Sequence, residues 1–250
     1  VISEELAFRD SPVHRMDPRV RLGFAILLGF ATALAGSFVA PLIALCGGAF
    51  LVLLSRPPLS VVAARLFPVN IFMLFLWLVL PFTHPGEPVF VLRGLSASRS
   101  GIELAALVTV KANAIVLIMV AFLSTMSVAA LGHAAHRLYF PKKLVHLLLL
   151  TYRYVFVIEN EYRQLVRAAR MRAFIPGSNI HTYRTYSYLA GMLLVRAHAR
   201  ARRVHQAMLC RGFSGVYHCL DSFAFRRADW AWLVFLSLFL LIMAVFILGS

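Results

Sequence analysis

Negative charge is what this sequence has least of. Ten Asp and Glu stand against 25 Lys and Arg in 250 residues, a formal net charge of +15. Lysine is scarce too: only Lys111, Lys142 and Lys143 are lysines, and the other 22 cations are Arg. None of the three follows a glycine, so no G-x-x-x-x-G-K-[ST] loop exists and ATP cannot be held by a P-loop. H-E-x-x-H, C-x-x-C and G-x-S-x-G are also missing, which removes the usual zinc, thiol and serine chemistries. Cys46, Cys210 and Cys219 form no metal-ligand spacing and read as free thiols. Charge of either sign is only 14%, hydrophobic residues make up 61%, and the mean hydropathy is +0.81. That excludes an ordinary soluble composition and favours a membrane protein. In a soluble chain the arginine excess would suggest nucleic acid. Here it sets topology and meets anionic lipid or an acidic partner, with no nucleic acid expected.

Long apolar runs are what the sequence does have. Residues 22–54 carry no charge and are too long for one span, so Gly36-Ser37 and Pro41 divide them into spans near 20–36 and 38–54. A third span is expected at 69–83, after the "SRPPLS" turn of 55–60, and "HPGEP" ends it in a loop at 84–100. A fourth is expected at 102–130 and a fifth at 229–248, with Trp230 and Trp232 as interfacial anchors. The polar N-terminus, with four acids in its first 20 residues, is not a cleavable signal. The expectation is an all-α integral membrane protein. It has a four-span domain at 1–130, a cytoplasmic domain at 131–228 and a final transmembrane helix at 229–250.

Basic flanks orient the spans. Arg15, Arg19 and Arg21, then Arg56 and Arg65, then Arg137, Lys142 and Lys143, then Arg226 and Arg227 fall on one side if the N-terminus is cytoplasmic and the C-terminus outside. The run "LVHLLLLTYRYVFVI" at 144–158 competes as a span, but it has 15 residues and contains Arg153. Its crossing would put 12 Arg of residues 159–227 outside, so this segment is read as cytoplasmic.

Within that segment Pro141 opens a helical pattern that reaches Phe174, and "PGSN" at 176–179 stops it. A second pattern runs from about 180 to 211 and Gly212 stops it. Arg163 and Arg167, like Arg196 and Arg200, are i,i+4 neighbours that repel unless an acidic surface receives them. Each helix ends on nearly the same phrase, "AARMRAF" at 168–174 and "AMLCRGF" at 207–213. In each, an Arg at the helix C-terminus suits the macrodipole, a small residue suits the cap, and Phe174 or Phe213 offers an apolar anchor. One copy is an ordinary helix end; two copies point to a partner with two equivalent pockets, such as a dimer.

Other candidates have plainer explanations. His133 and His136 lack a nearby acid or thiol and read as surface residues. In "RMDPRV" Asp17 reads as an N-cap with Pro18 at the first helical position, which needs no metal. A membrane enzyme would have only Glu159, Glu161 and Asp221 as cytoplasmic carboxylates, at no motif spacing. A stand-alone channel would need intramembrane ionisable residues, and Lys111 is almost alone.

Three stretches together, "HRMDPRVRLGF" at 14–24, "YRYVFVIENEYRQLVRAARMRAF" at 152–174 and "HQAMLCRGF" at 205–213, resemble the transmembrane T component of energy-coupling factor (ECF) transporters, of the CbiQ/NikQ cobalt and nickel type. The resemblance covers nearly the whole chain in order. It implies a scaffold without a catalytic centre. Two long coupling helices would join a pair of cytoplasmic ABC ATPases to a substrate-binding membrane S component, with or without a small accessory membrane subunit, in the bacterial or archaeal cell membrane. No cofactor would be bound by this chain: ATP and Mg belong to the ATPases and cobalt or nickel to the S component. A vitamin transporter has a similar T component. By position the docking motifs are Met171-Arg172-Ala173 and Cys210-Arg211-Gly212. Neither has the family's Ala before Arg, and the first has Ala173 in place of Gly, which leaves the cap geometry at 173 open but not the charge.

Overall fold

The computed structural model describes residues 11, 13, 16–85, 88–92, 95–138, 140–214 and 227–248. In chain order the elements are α1 (Pro18–Leu34), α2 (Val39–Ser55), α3 (Leu59–Thr83), β1 (Pro88–Leu92), β2 (Leu95–Ser98), α4 (Arg99–Leu123), α5 (Val128–Arg137), α6 (Lys142–Met171), α7 (Ile180–Cys210) and α8 (Arg227–Leu248). They fall into two compact units, Val1–Tyr139 with Phe223–Ser250, and Phe140–Ser222. Among the described residues the departure from an all-α chain is the antiparallel β1–β2 hairpin, where the sequence reading places a loop.

In the first unit α4 is central, packed by α1, α2 and α3. Small residues let these helices approach closely, which is how apolar helices associate when lipid removes the hydrophobic drive between them. A Cβ on Gly48 would lie 3.2 Å from Leu117 Cβ on α4, and one on Gly47 would lie 2.3 Å from Phe239 Cζ on α8. Leu28, Ile118, Phe122, Leu236 and Met243 fill the centre, each fully buried. Side-chain amides join α3 to α4: Asn70 and Asn113 exchange bonds of 3.1 and 3.2 Å, and Trp77 Nε1 donates to Thr109 Oγ1 at 3.0 Å. Much of α3, including Phe67, Leu74 and Leu78, stays exposed, as a lipid-facing helix requires.

Among the described residues three helical segments, Leu59–Thr83, Arg99–Leu123 and Asp229–Ile247, are long and apolar enough to cross a membrane. α1 and α2 have 17 residues each. Two expected spans have different bounds. The third begins ten residues before Val69, at Leu59, because Pro58 stands at the N-cap and the helix continues through Pro68. The fourth ends at Leu123: a turn follows, and Ser127 then caps α5 by accepting the Ala130 N–H at 3.2 Å.

A buried tie gathers three helix ends. Asp17 caps α1 as the sequence suggests, its Oδ1 accepting the Arg19 N–H at 2.9 Å, with Pro18 at N1. The Asp17 N–H donates to Asp229 Oδ1, near the start of α8, at 3.0 Å. One turn on, Arg21 Nη1 donates to the Thr125 carbonyl at 3.0 Å and its hydroxyl at 3.1 Å, in the turn after α4. Asp17, Arg21 and Asp229 are only 6, 4 and 3% exposed. Burial of single charges is costly, so the arrangement depends on Asp17 and Asp229 lying in the field of the Arg21 guanidinium, with Arg19 Nε also 3.8 Å from Asp17 Oδ1.

The second unit is an antiparallel pair, α6 with α7. Three contacts fix the register: Phe174 against Tyr186, the Glu161–Arg200 ion pair, and Phe213 against His146. Between the helices, Thr182 is buried and its Oγ1 accepts the Gly177 N–H at 3.1 Å, which holds the Pro-Gly turn to the start of α7.

Candidate functional site

Both ends of the helix pair close with the same hydrogen-bonded cap. At the end of α6, the Arg172 N–H donates to Ala169 O (3.0 Å), Ala173 N–H to Arg170 O (3.1 Å) and Phe174 N–H to Ala169 O (3.2 Å). At the end of α7, Arg211 N–H donates to Met208 O (3.1 Å), Gly212 N–H to Leu209 O (3.0 Å) and Phe213 N–H to Met208 O (3.0 Å). The last two bonds of each set are those of a Schellman motif, and the arginine holds the C-cap position both times. Arg172 and Arg211 have nearly the same backbone, φ −94° and −90°. Ala173 adopts the left-handed conformation at φ 61°, beside 77° for Gly212. The cap geometry that the sequence leaves open at 173 is therefore the same left-handed one as at 212. Ala173 takes glycine's place in the turn, with a strain of about 1–2 kcal/mol.

The antiparallel register puts these caps at opposite ends of the pair. Arg211 lies near the level of Leu150, so roughly 20 residues of α6, about 30 Å at 1.5 Å per residue, separate it from Arg172. Met171, Arg172 and Ala173 are exposed at one end, and Cys210, Arg211 and Gly212 at the other. At a helix C-terminus each guanidinium sits where the unpaired carbonyls favour a cation.

The two phenylalanines part company. Phe174 is 8% exposed, edge-on to Tyr186 with ring centroids 5.7 Å apart and 6.3 Å from His181. Its ring is turned into its own unit and holds the cap, which corrects its reading as an anchor presented to a partner. Phe213 is half-buried, its ring 5.7 Å from His146. Burial holds the His146 imidazole below its ordinary value.

Beside the Arg211 cap lies a groove of about 490 Å³, lined by Arg153 and Tyr154 from α6 and by Met208, Arg211, Gly212 and Phe213. An apolar groove of about 530 Å³ runs on between the helices, past Leu150, Val155, Ile158, Ala201 and Val204. In sequence Arg153 signals only that 144–158 is a poor span, not a docking residue. It meets Arg211 only because the helices pair in this register.

The arginine neighbours are partly neutralised within the unit. Glu159 Oε1 accepts from Arg163 Nη2 at 2.5 Å, and Glu161 pairs with Arg200 across the helices. Glu159 and Glu161, two of the three candidate carboxylates of an enzyme, are thus engaged in ion pairs. Arg167, Arg172, Arg196 and Arg211 remain exposed. Among the described residues no group of three His, Cys, Asp or Glu could hold a metal ion. Cys46 and Cys210 are free thiols. Cys219, Asp221, Arg226 and Arg15 lie outside the described residues.

Residues 9–221 match the family described as Cobalt transport protein, CbiQ. The chain belongs to the CbiQ family. Among curated proteins this CbiQ-family chain is 27% identical over 214 residues to the energy-coupling factor transporter transmembrane protein EcfT of Brevibacillus brevis, covering 81% of each chain. It is 25% identical over 236 residues to an uncharacterized protein of Methanocaldococcus jannaschii, covering 88% of this chain and 84% of that one. The CbiQ match takes in Asp17, Arg21 and Thr125 of the buried tie, both arginine caps and the helices between. Together with the three apolar helices it makes the chain a multi-pass membrane protein of a transporter family.

Proposed function

We propose that this chain is the non-catalytic T component of an ECF importer for cobalt, or nickel, joining an ATPase pair to a substrate-binding S component. In this reading α1, α2, α3, α4 and α8 are five spans, the N-terminus is cytoplasmic and the C-terminus outside. α6 and α7 are the coupling helices. Arg172 would enter one ATPase subunit and Arg211 the other, within Met171-Arg172-Ala173 and Cys210-Arg211-Gly212. ATP and Mg stay on the ATPases and the metal ion on the S component, with or without an accessory membrane subunit. The preference for cobalt rests on the description of the family.

The observation that carries the reading is the repeated arginine cap. Two tips with the same backbone, at opposite ends of one antiparallel pair, suit two copies of one pocket in a dimeric motor. An arginine at the C-cap presents a planar fork that a carboxylate accepts in bidentate fashion. The test is co-expression of the chain with the ATPase pair and S component, followed by affinity purification and transport assay. Arg172→Ala and Arg211→Ala should each weaken ATPase retention, by about 1.5–3 kcal/mol, and the double variant should lose more. A double variant that assembles and transports like the wild type would overturn the reading.

A further inference from the structure

We propose that Arg153 is a second docking cation at the Arg211 end of the helix pair, and that this end receives a protein surface carrying two neighbouring carboxylates. The proposal rests on the T-component reading, since the surface in question is that of the ATPase subunit that meets Arg211. Arg153 from α6 and Arg211 from α7 line one groove, and among the described residues no Asp or Glu lines it with them. The carboxylates that α6 does carry are engaged elsewhere, Glu159 with Arg163 and Glu161 with Arg200. Two guanidiniums in one concavity repel each other, so an anion that bridges them is favoured. The Arg153 guanidinium lies 6.0 Å from the Tyr154 ring centroid, a cation–π distance that leaves its N–H edges open to a carboxylate.

The other end is built differently. There the space inside the cap is filled by Phe174 on His181 and Tyr186, and the nearby Arg184 Nε donates instead to the Tyr188 hydroxyl at 2.8 Å. Equal backbones at the two tips therefore have different surroundings: an aromatic plug under the Arg172 cap, and beside Arg211 an open groove that a second guanidinium lines. The apolar walls of the groove, Met208 and Phe213, suit a folded protein surface more than a hydrated lipid phosphate.

The test uses the full chain in nanodiscs and the co-expressed ATPase pair as the probe, comparing Arg153→Ala, Arg153→Lys, Arg153→Glu and Arg211→Ala. Arg153→Ala should weaken binding of the ATPase pair about tenfold and flatten its salt dependence. Arg153→Lys should recover most of the affinity, and Arg153→Glu should lose more than Arg153→Ala. Wild-type affinity in Arg153→Ala and Arg153→Glu, with Arg211→Ala weakened, overturns this proposal and leaves the T-component reading standing. Wild-type affinity in Arg211→Ala and Arg172→Ala as well overturns that reading and this proposal with it. Nanodiscs of phosphatidylcholine and of phosphatidylglycerol separate the occupants: an Arg153→Ala effect confined to phosphatidylglycerol assigns the groove to lipid and overturns the proposal.

Discussion

The two units treat charge in opposite ways. In the unit that carries the apolar helices, Asp17, Arg21 and Asp229 are almost fully buried and meet one another. In the α6–α7 pair, Arg172, Arg211 and Arg153 stand exposed, and α6 and α7 bury only Val145, Leu165 and Thr182 of their own residues. A buried charge is satisfied by its own chain because nothing else can reach it. An exposed, unneutralised cluster is stable only at a cost in repulsion, which a partner removes. The first pattern holds a fold together; the second is a surface built to be met. The first set also has a position worth noting in sequence: Thr125 precedes the α6–α7 unit and Asp229 follows it, and both are tied to the first turn of α1.

The largest effect should come from breaking the buried tie. Arg21→Met leaves Asp17 and Asp229 without their common cation and should destabilise the chain by about 3–5 kcal/mol. Asp229→Ala should cost a comparable amount, because it frees the Asp17 N–H as well as uncovering Arg21. Thermal unfolding of the purified chain in detergent measures both. Exposed-charge variants such as Arg172→Ala and Arg211→Ala should leave that unfolding within about 0.5 kcal/mol of wild type while weakening ATPase binding. If the buried and exposed sets moved stability equally, the division drawn between them would fail.

A smaller effect tests whether the two caps are equivalent. Ala173→Gly relieves an L-residue from φ 61° and should stabilise the chain by about 1 kcal/mol, whereas Gly212→Ala imposes that strain and should destabilise it by about the same amount. No atom lies within 4 Å of a Cβ placed on Gly212, so the cost there is conformational and not steric. Unfolding of the two variants should therefore shift in opposite directions. A stability gain from Gly212→Ala would contradict the shared left-handed cap.

Much of this architecture is legible in the residues. Pro141, the "PGSN" turn and Gly212 bracket α6 and α7 to within three residues, because proline and glycine act locally on the backbone. The repeated arginine phrase locates both caps. The geometry at Ala173 is left open by sequence because local preference reports the average cost of a left-handed alanine, and the remaining bonds of the cap outweigh it here. The bounds of α3 and α4 are harder. Pro68 looks like a barrier and is carried inside a helix, and a short polar turn at 124–127 interrupts what reads as one apolar run. The Asp17–Asp229 and Arg21–Thr125 bonds join residues 212 and 104 positions apart. No local pattern signals either of them. Arg153 is of the same kind: in sequence it argues against a span, and only the register with α7 brings it to the Arg211 groove.

The smallest effect concerns how the Arg211 cap is seated. Phe213 leans on His146, whose imidazole is held below its ordinary value of 6.5 by burial, and Arg200 and His205 line the same groove. As pH falls below about 6.5 the unfolded chain takes up a proton at this position that the folded chain resists, so the unfolded state gains. The stability due to the neutral, buried ring is present above that pH and is lost as pH falls toward the lowered folded value. His146→Phe keeps an aromatic surface for Phe213 and removes the proton site. Melting temperatures of both chains at pH 7.5 and 5.5 give the comparison, with His205 and the other histidines common to both. The wild-type chain should lose more on acidification than the variant. An equal loss in the two would mean that the ring at 146 seats the cap by shape alone, and that the difference between the two ends of the pair lies in Arg153 and not in the histidine beside Phe213.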